Sequence, residues 1–136
     1  MNIILRGFDE FDDKMRRLGN VAQWAKPIMQ KAVLYVHSQV PPYPAPPATS
    51  RYRRTGTLGR TITTEVKSLS GNDIAGSIGT KTVYAPDVIS TERVGNRGPQ
   101  KWMHKRTGWY TLQAVVWGQA DKVRGIFEAG IRALLK

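Results

Sequence analysis

The two histidines are the first residues to weigh for acid–base or metal chemistry. His37 and His104 are the only histidines in the chain, and neither has an Asp or Glu within four residues. A general base needs a second group to orient it, and a helical zinc site needs paired histidines beside a carboxylate. We therefore predict no catalytic, cofactor-binding or metal-ligating residues, and we expect His37 to be a structural or surface residue of a helix.

The chain also lacks the other common reactive motifs. It has no cysteine, which excludes disulfides, thiolate catalysis and zinc sites with sulfur ligands. Residues 56–59 (Gly-Thr-Leu-Gly) lack the Gly-Lys-Ser/Thr ending of a phosphate-binding loop, and residues 76–79 (Gly-Ser-Ile-Gly) lack the dinucleotide pattern. Both segments are better explained as turns or strand ends. The sequence therefore predicts a protein that is not an enzyme.

Basic residues are interleaved with aromatic residues in two clusters. The arginine cluster surrounds Tyr52 and consists of Arg51, Arg53, Arg54 and Arg60. The loop cluster consists of Lys101, Trp102, His104, Lys105 and Arg106. Arg and Lys neutralise phosphates, and aromatic rings stack on exposed bases. We predict that these nine residues face DNA or a protein interface, and the alternative role for Trp102 is to fill the core or a subunit contact.

The charge of the whole chain agrees with such a surface. The 136 residues include 21 Lys and Arg against 10 Asp and Glu, a formal net charge of +11. Four of the acids lie within residues 9–13, and residues 14–64 contain none. An excess of this size opposes folding by self-repulsion and attracts polyanions. We predict a surface that meets nucleic acid or an acidic partner, the alternative being a solvated surface that only aids solubility.

The elements that must position these clusters begin with a strand and a long helix. Residues 3–5 (Ile-Ile-Leu) form a short apolar run and predict a brief strand. Over residues 9–40, apolar side chains recur every three or four positions, which predicts one long amphipathic helix. Gly19 and Pro27 weaken that pattern, so we expect a kink or a break near one of them.

A proline-rich segment follows the predicted helix. Residues 41–47 contain five prolines, a composition that stops a helix and favours an extended backbone. We predict that residues 41–50 form a stiff spacer, the alternative being a docking ligand for an aromatic groove. No apolar run approaches the roughly 20 residues that span a bilayer, so we expect a cytosolic chain without a membrane segment.

The second half of the chain has the pattern of strands followed by a loop and a helix. Alternating β-branched residues predict an antiparallel hairpin at 61–66 and 74–79 and a third strand at 83–89, while 109–117 is either a strand or a buried connector. We predict that residues 90–108 form a long basic loop, mobile in the isolated protein, and that residues 121–135 are helical. The fold class is therefore α+β within a single domain of residues 1–136: a long N-terminal helix and a C-terminal helix on an antiparallel sheet of three to four strands.

With the elements in this order, several segments resemble those of one family. Residues 3–11 resemble its short strand, glycine and helix start, and residues 54–62 resemble its Thr-Gly-x-Leu turn into the first central strand. Residues 78–80 and 84–89 resemble its glycine-containing strand and its Tyr-Ala strand, and residues 102–104 resemble the segment before the closing helix. The family is that of the small neck proteins of long-tailed bacteriophages, which are tail-completion, tail-terminator or head–tail joining proteins, also called minor capsid or minor tail proteins.

This resemblance implies a structural virion protein without enzymatic activity or cofactor. It implies a homo-oligomeric ring, a hexamer or a dodecamer, that contacts the adjacent connector and tail proteins and surrounds double-stranded DNA in the channel. Such a chain would assemble in the host cytoplasm and remain in the neck or tail of the virion. Within the ring, we expect the arginine cluster at subunit contacts and the loop cluster towards the lumen or the next ring.

Two other functions fit parts of the sequence. A stand-alone DNA- or RNA-binding protein would account for the net charge of +11. A small basic ribonuclease of the toxin kind would need acid–base residues that converge from the sheet, for which the chain offers only His104, tyrosines and arginines.

Overall fold

The protein is described from a computed structural model, which covers residues 2–5, 19, 21–51, 56–69 and 73–136. Its elements, in chain order, are β1 (Asn2–Leu5), α1 (Val21–Ser38), α2 (Thr57–Arg60), β2 (Thr63–Ser68), β3 (Ile74–Gly79), α3 (Ala85–Ile89), α4 (Trp102–Arg106), α5 (Leu112–Gly118) and α6 (Ala120–Leu134). The mixture of helices and antiparallel strands confirms the α+β class. Within the described ranges, no helix is both long and apolar enough to cross a membrane.

The sheet is antiparallel with β3 in the middle, in the order β1-β3-β2. The predicted hairpin is present, and its register runs from Thr63 opposite Gly79 to Ser68 opposite Ile74. Strand β1 pairs with the other edge of β3, with Leu5 opposite Ile74. Side chains of β3 alternate between buried and half-buried, because successive residues of a strand point to opposite faces. One face of the sheet is therefore available to a helix.

Helix α1 covers that face and supplies much of the core. Its buried side chains recur at helical spacing and are Trp24, Ala25, Met29, Ala32, Val33 and Val36. The helix approaches β3 closely at Gly76, where an added Cβ would lie 2.5 Å from Val33 Cγ1 and 2.6 Å from Met29 Sδ. The absence of a side chain at Gly76 thus sets the distance between the helix and the sheet.

The predicted long helix is confirmed only for its second half. Of the two positions at which a kink or a break was expected, Gly19 lies outside the helix with a backbone φ of +81°, whereas Pro27 lies inside α1, which runs without a break from Val21 to Ser38. The part predicted over residues 9–18 lies outside the described residues. At the end of α1, His37 Nε2 lies 3.0 Å from the carbonyl oxygen of Ile62, a contact that links the helix to the start of β2.

The predicted third strand at residues 83–89 is wrong, because the chain forms helix α3 there. A proline in the first helical turn has no need of the backbone donor that it lacks, so Pro86 favours a helix start. The buried residues Ala85, Val88 and Ile89 have the spacing of one helical face. Residues 109–117 are likewise not a strand, because helix α5 begins at Leu112 behind an N-cap, in which the Thr111 hydroxyl accepts from the Ala114 amide at 3.3 Å.

The predicted C-terminal helix is confirmed as α6. Val123 and Phe127, one turn apart, are its buried residues, and the helix contacts α1. The Tyr35 hydroxyl of α1 also donates to Gln119 Oε1 at 3.0 Å, just before α6 begins. The two long helices therefore pack against each other as well as forming part of one core.

The proline-rich segment lies against the domain at Tyr43. Residues 40–47 form neither helix nor strand, as their composition predicts. The Tyr43 ring lies 4.9 Å from the Trp109 ring between centroids, and its hydroxyl accepts from the Gly59 amide at 2.6 Å. Tyr43 thus ties the proline-rich segment to α2 and to the chain after α4.

We expect Tyr43→Phe to lower the free energy of unfolding by about 0.5–1.5 kcal/mol, because the Gly59 amide loses its protein acceptor while the ring contact with Trp109 remains. Urea denaturation of the purified chain measures this change. Tyr84→Phe is the matched control: Tyr84 is 42% exposed, and no hydrogen bond of its hydroxyl is found with the described residues. An equal loss in both variants would contradict the role given to Tyr43.

Candidate functional site

Helix α4 carries most of the loop cluster. Residues 90–108 are therefore not a featureless loop: they contain this helix and an isolated antiparallel bridge between Val94 and Arg97. Trp102 is 69% exposed and Met103 is 48% exposed, which is unusual for such large apolar side chains. The last two residues of the helix, Lys105 and Arg106, are also exposed.

Asp87 of α3 holds the segment that leads into α4. Its carboxylate accepts from the Gly98 amide at 2.8 Å and from Arg97 Nη1 at 2.9 Å, and Lys101 Nζ lies 3.6 Å away. The backbone of Lys101 also donates to the Asp87 carbonyl at 2.8 Å. Gln100 adds a further contact, because its side-chain amide donates to the Val88 carbonyl at 2.6 Å. These five contacts hold residues 97–101 against α3.

The same contacts explain the titration of Asp87. The hydrogen bond from the Gly98 amide is the largest cause that lowers the pKa of this carboxyl, followed by the hydrogen bond from Arg97 and the charge of Lys101. Asp87 is therefore ionised near neutral pH. The buried carboxylate of Asp87 attracts the positive charges of Arg97 and Lys101, and it keeps their side chains close to α3.

Gly98 is the residue that makes this arrangement possible. Its backbone φ is +80°, a value that residues with a side chain rarely adopt. A Cβ at this position would lie 2.6 Å from the carbonyl oxygen of Glu92. Only glycine can therefore present its amide to Asp87 in this turn without displacing the backbone of the loop.

A groove with a volume of about 320 Å³ opens between α2, α3 and α4. Its apolar and aromatic walls are contributed by Tyr43, Leu58, Tyr84, Val88, Met103 and Trp109. Lys101, His104 and Asp87 add polar groups to the lining, and the His104 ring stands edge-on to the Trp109 ring at 6.3 Å. We call this the aromatic groove.

The predicted site residues are placed around this groove to different extents. Lys101 and His104 line it, and Trp102, Lys105 and Arg106 share the helix α4 that forms one of its walls. From the arginine cluster, Arg60 is exposed at the end of α2, which contributes Leu58 to the groove, and Arg51 is exposed. The structural positions of Arg53 and Arg54 lie outside the described residues.

Sequence reasoning missed four residues that build the groove. They come from three separate parts of the chain, and they are Tyr43, Tyr84, Asp87 and Trp109. Tyr84 and Asp87 were assigned to a strand, although the spacing of the apolar residues around them also fits a helix. Tyr43 was assigned to a spacer because proline dominated its surroundings. No local pattern links Tyr43 to Trp109, since only the tertiary fold brings these two rings together.

The ionisable and hydroxyl groups in and around the groove can be described one by one. Among residues 2–5, 19, 21–51, 56–69 and 73–136, no group of three or more His, Asp or Glu side chains could hold a metal ion.

Burial raises the pKa of Tyr110, with a smaller effect from Tyr43, so this phenol is neutral at physiological pH. The hydroxyls of Thr61, Thr80 and Thr82 lie nearby in the fold and bond to one another at 2.8–3.0 Å, as a structural cluster.

The groove therefore has an apolar, aromatic floor, with Lys101 and His104 among its polar lining groups. Aromatic residues, Met and Arg are the types enriched at protein–protein contacts, and basic residues beside aromatic rings also suit nucleic acid. In comparisons with protein-family models, with curated proteins and with solved structures, the chain matches none of them.

Proposed function

We propose that the chain is a structural protein of the bacteriophage neck. It assembles as a homo-oligomeric ring that joins the DNA-filled head to the tail and surrounds the DNA channel. Its partners are further copies of itself, the adjacent connector and tail proteins, and the double-stranded DNA in the lumen. Its role is assembly and not catalysis, and it acts in the virion after assembly in the host cytoplasm.

The observation that carries this proposal is the meeting of three family-like segments at the aromatic groove. Residues 54–62, 84–89 and 102–104 are far apart in sequence, yet each contributes to the lining of the same groove. Their contributions are Gly56, Thr57 and Leu58 from the first, Tyr84, Asp87 and Val88 from the second, and Met103 and His104 from the third. A shared surface supports a shared role for these segments.

The exposed surface of α4 also supports assembly. Trp102 and Met103 together expose a large apolar area next to the exposed charges of Lys105 and Arg106. Trp, Met and Arg are enriched at the centre of protein interfaces, so this combination of exposed side chains suits a subunit contact. Neighbouring subunits or an adjacent neck protein would cover it.

Electron microscopy and sedimentation of the purified chain, with and without linear duplex DNA, test the proposal. We expect closed rings with a central opening and a mass that is a multiple of the 15.2 kDa subunit. A chain that stays monomeric and binds free DNA tightly, with a steep salt dependence, would instead support the stand-alone nucleic-acid-binding protein. Degradation of RNA by a clean preparation, lost in His104→Ala, would support the ribonuclease.

A further inference from the structure

The aromatic groove has the size and lining to take an aromatic side chain. Its volume is about 320 Å³, and Leu58, Val88 and Met103 give it apolar walls next to the rings of Tyr43 and Trp109. An engineered protein cavity of roughly 150 Å³ already holds a benzene molecule, so this groove has room for a phenyl ring. Ring-on-ring and sulfur–ring contacts would favour such an occupant.

The border of the groove favours an occupant that also carries negative charge. Lys105 and Arg106 are exposed on α4, and no ion pair links either of them to an acid of the described residues. Lys101 lines the groove and already shares Asp87 with Arg97. Complementary potentials at an interface steer association and set its register. The matching ligand is therefore an acidic segment with an aromatic anchor.

One segment of this chain has that composition. Residues 8–13 are Phe-Asp-Glu-Phe-Asp-Asp, and they hold two aromatic residues and four of the ten acids of the chain. Each of the other six acids stands alone in the sequence. Asp87 is used in the contact with Arg97, and Glu65 and Asp121 pair locally with Lys67 and Arg124. Residues 8–13 are therefore the strongest acidic complement that the chain itself provides.

Chain length favours a segment from a second copy over the groove's own chain. Strand β1 leaves the sheet at Leu5, opposite Ile74, while the groove lies near the other end, where Thr63 pairs with Gly79. The five steps from Ile74 to Gly79 span about 17 Å, and β1 runs away from the Gly79 end. Phe11 is six residues past Leu5, so its greatest reach is about 22 Å and requires an immediate, fully extended reversal.

The path back to α1 restricts the chain further. Residue 21 begins α1, and the groove lies beyond the opposite end of that helix, since Tyr43 follows Ser38 by five residues. The length of α1 is about 27 Å at 1.5 Å per residue. The last residue of β1 and the first residue of α1, which flank residues 6–20, thus both lie at the end of the domain distant from the groove. A neighbouring copy has no such restriction.

We infer that the aromatic groove binds residues 8–13 of a second copy of this chain, with a phenylalanine ring in the groove and the acids against Lys101, Lys105 and Arg106. The contact is head-to-tail, so repetition of it generates a ring when the rotation closes. It places the loop cluster at a subunit contact, in place of the position towards the lumen or the next ring that was expected from the sequence. The inference rests on the self-assembly of the proposed function, but it does not depend on the place of the ring in a virion.

Charge exchange between the two surfaces tests this contact in the full-length chain. The first variant carries Lys105→Glu and Arg106→Glu, and the second carries Asp12→Lys and Asp13→Lys. We expect each to weaken self-association at low salt by at least about tenfold, measured by sedimentation velocity, because like charges then face each other. A third variant combines all four substitutions, and we expect it to recover the association of the original chain.

A matched control separates specific pairing from net charge. Combining Lys31→Glu and Lys122→Glu with the reversals at Asp12 and Asp13 also returns the net charge to +11, but these lysines lie on α1 and α6, not on α4 beside the groove. We expect no recovery in this control. Recovery in both combinations, or in neither, overturns the inference, and so does a parent chain that remains monomeric. If rings form in the parent and in every variant, the inference fails while the proposed neck ring stands.

Discussion

Gly76→Ala is expected to lower the free energy of unfolding by about 1–3 kcal/mol, the usual cost of placing an extra carbon in a filled core. The new Cβ would lie 2.5 Å from Val33 Cγ1 and 2.6 Å from Met29 Sδ, and both side chains are fully buried. Helix α1 must therefore move away from β3 or repack. Urea denaturation followed by circular dichroism measures the loss.

Gly79→Ala is the matched control in the same strand. A Cβ at Gly79 meets no atom within 4 Å, so this substitution is expected to be neutral or to stabilise the fold by up to about 1 kcal/mol. Stabilisation would arise because alanine allows the unfolded chain fewer conformations than glycine does. Val33→Ala removes Val33 Cγ1, one of the two atoms that a Cβ on Gly76 would strike. We therefore expect Gly76→Ala and Val33→Ala together to destabilise less than the sum of the two single losses. Additive losses would show that the helix is not held at this distance by Gly76.

Asp87→Asn is expected to release residues 97–109 from α3 while the rest of the domain remains folded. The asparagine NH₂ group would face Arg97 and Lys101 in place of a carboxylate oxygen, so attraction is replaced by repulsion. We expect the amides of Gly98 and Lys101 to exchange with solvent at least about tenfold faster, since hydrogen bonds to charged groups are the stronger ones. Hydrogen exchange read by mass spectrometry measures this effect.

Glu92→Gln is the control for Asp87→Asn, because Glu92 is an exposed acid in the same segment. Its side chain forms no ion pair with the described residues, so exchange in residues 97–109 is expected to stay unchanged. The expectation from the sequence that residues 90–108 are mobile in the isolated protein stays a prediction, and the same exchange measurement tests it. Equally fast exchange of these amides in the parent chain and in Asp87→Asn would support that expectation and contradict the role given to Asp87.

Acid conditions provide a second test of Asp87. Its pKa is lowered in the folded protein, mainly by the Gly98 amide and then by Arg97, while an aspartate in an unfolded chain titrates at about 3.9. The stabilisation is therefore complete above about pH 4 and is lost as the pH falls through the lower, folded-state value. We expect the stability difference between the parent chain and Asp87→Asn to shrink below pH 4. A difference that grows in acid would contradict this assignment.

The sequence by itself determined the elements whose periodicity is long or unambiguous. Residues 21–38 and 121–134 repeat apolar side chains at helical spacing over several turns, and both segments are helices. Alternation on both sides of a turn signal determined the hairpin of β2 and β3. The sequence also shows the excess of basic charge and the positions of the loop-cluster residues in the chain, because both follow from composition and residue order alone.

The tertiary structure decided the short elements and the groove. Residues 85–89 fit a strand or a helix equally well by pattern, and burial of Ala85, Val88 and Ile89 on one side selects the helix. Asp87 then meets Gly98 and Arg97, which are ten or more residues away. The aromatic groove likewise joins Tyr43 to Trp109 across 66 positions of sequence. Such contacts depend on how α1 and the sheet bring distant segments together, and local sequence patterns do not predict that packing.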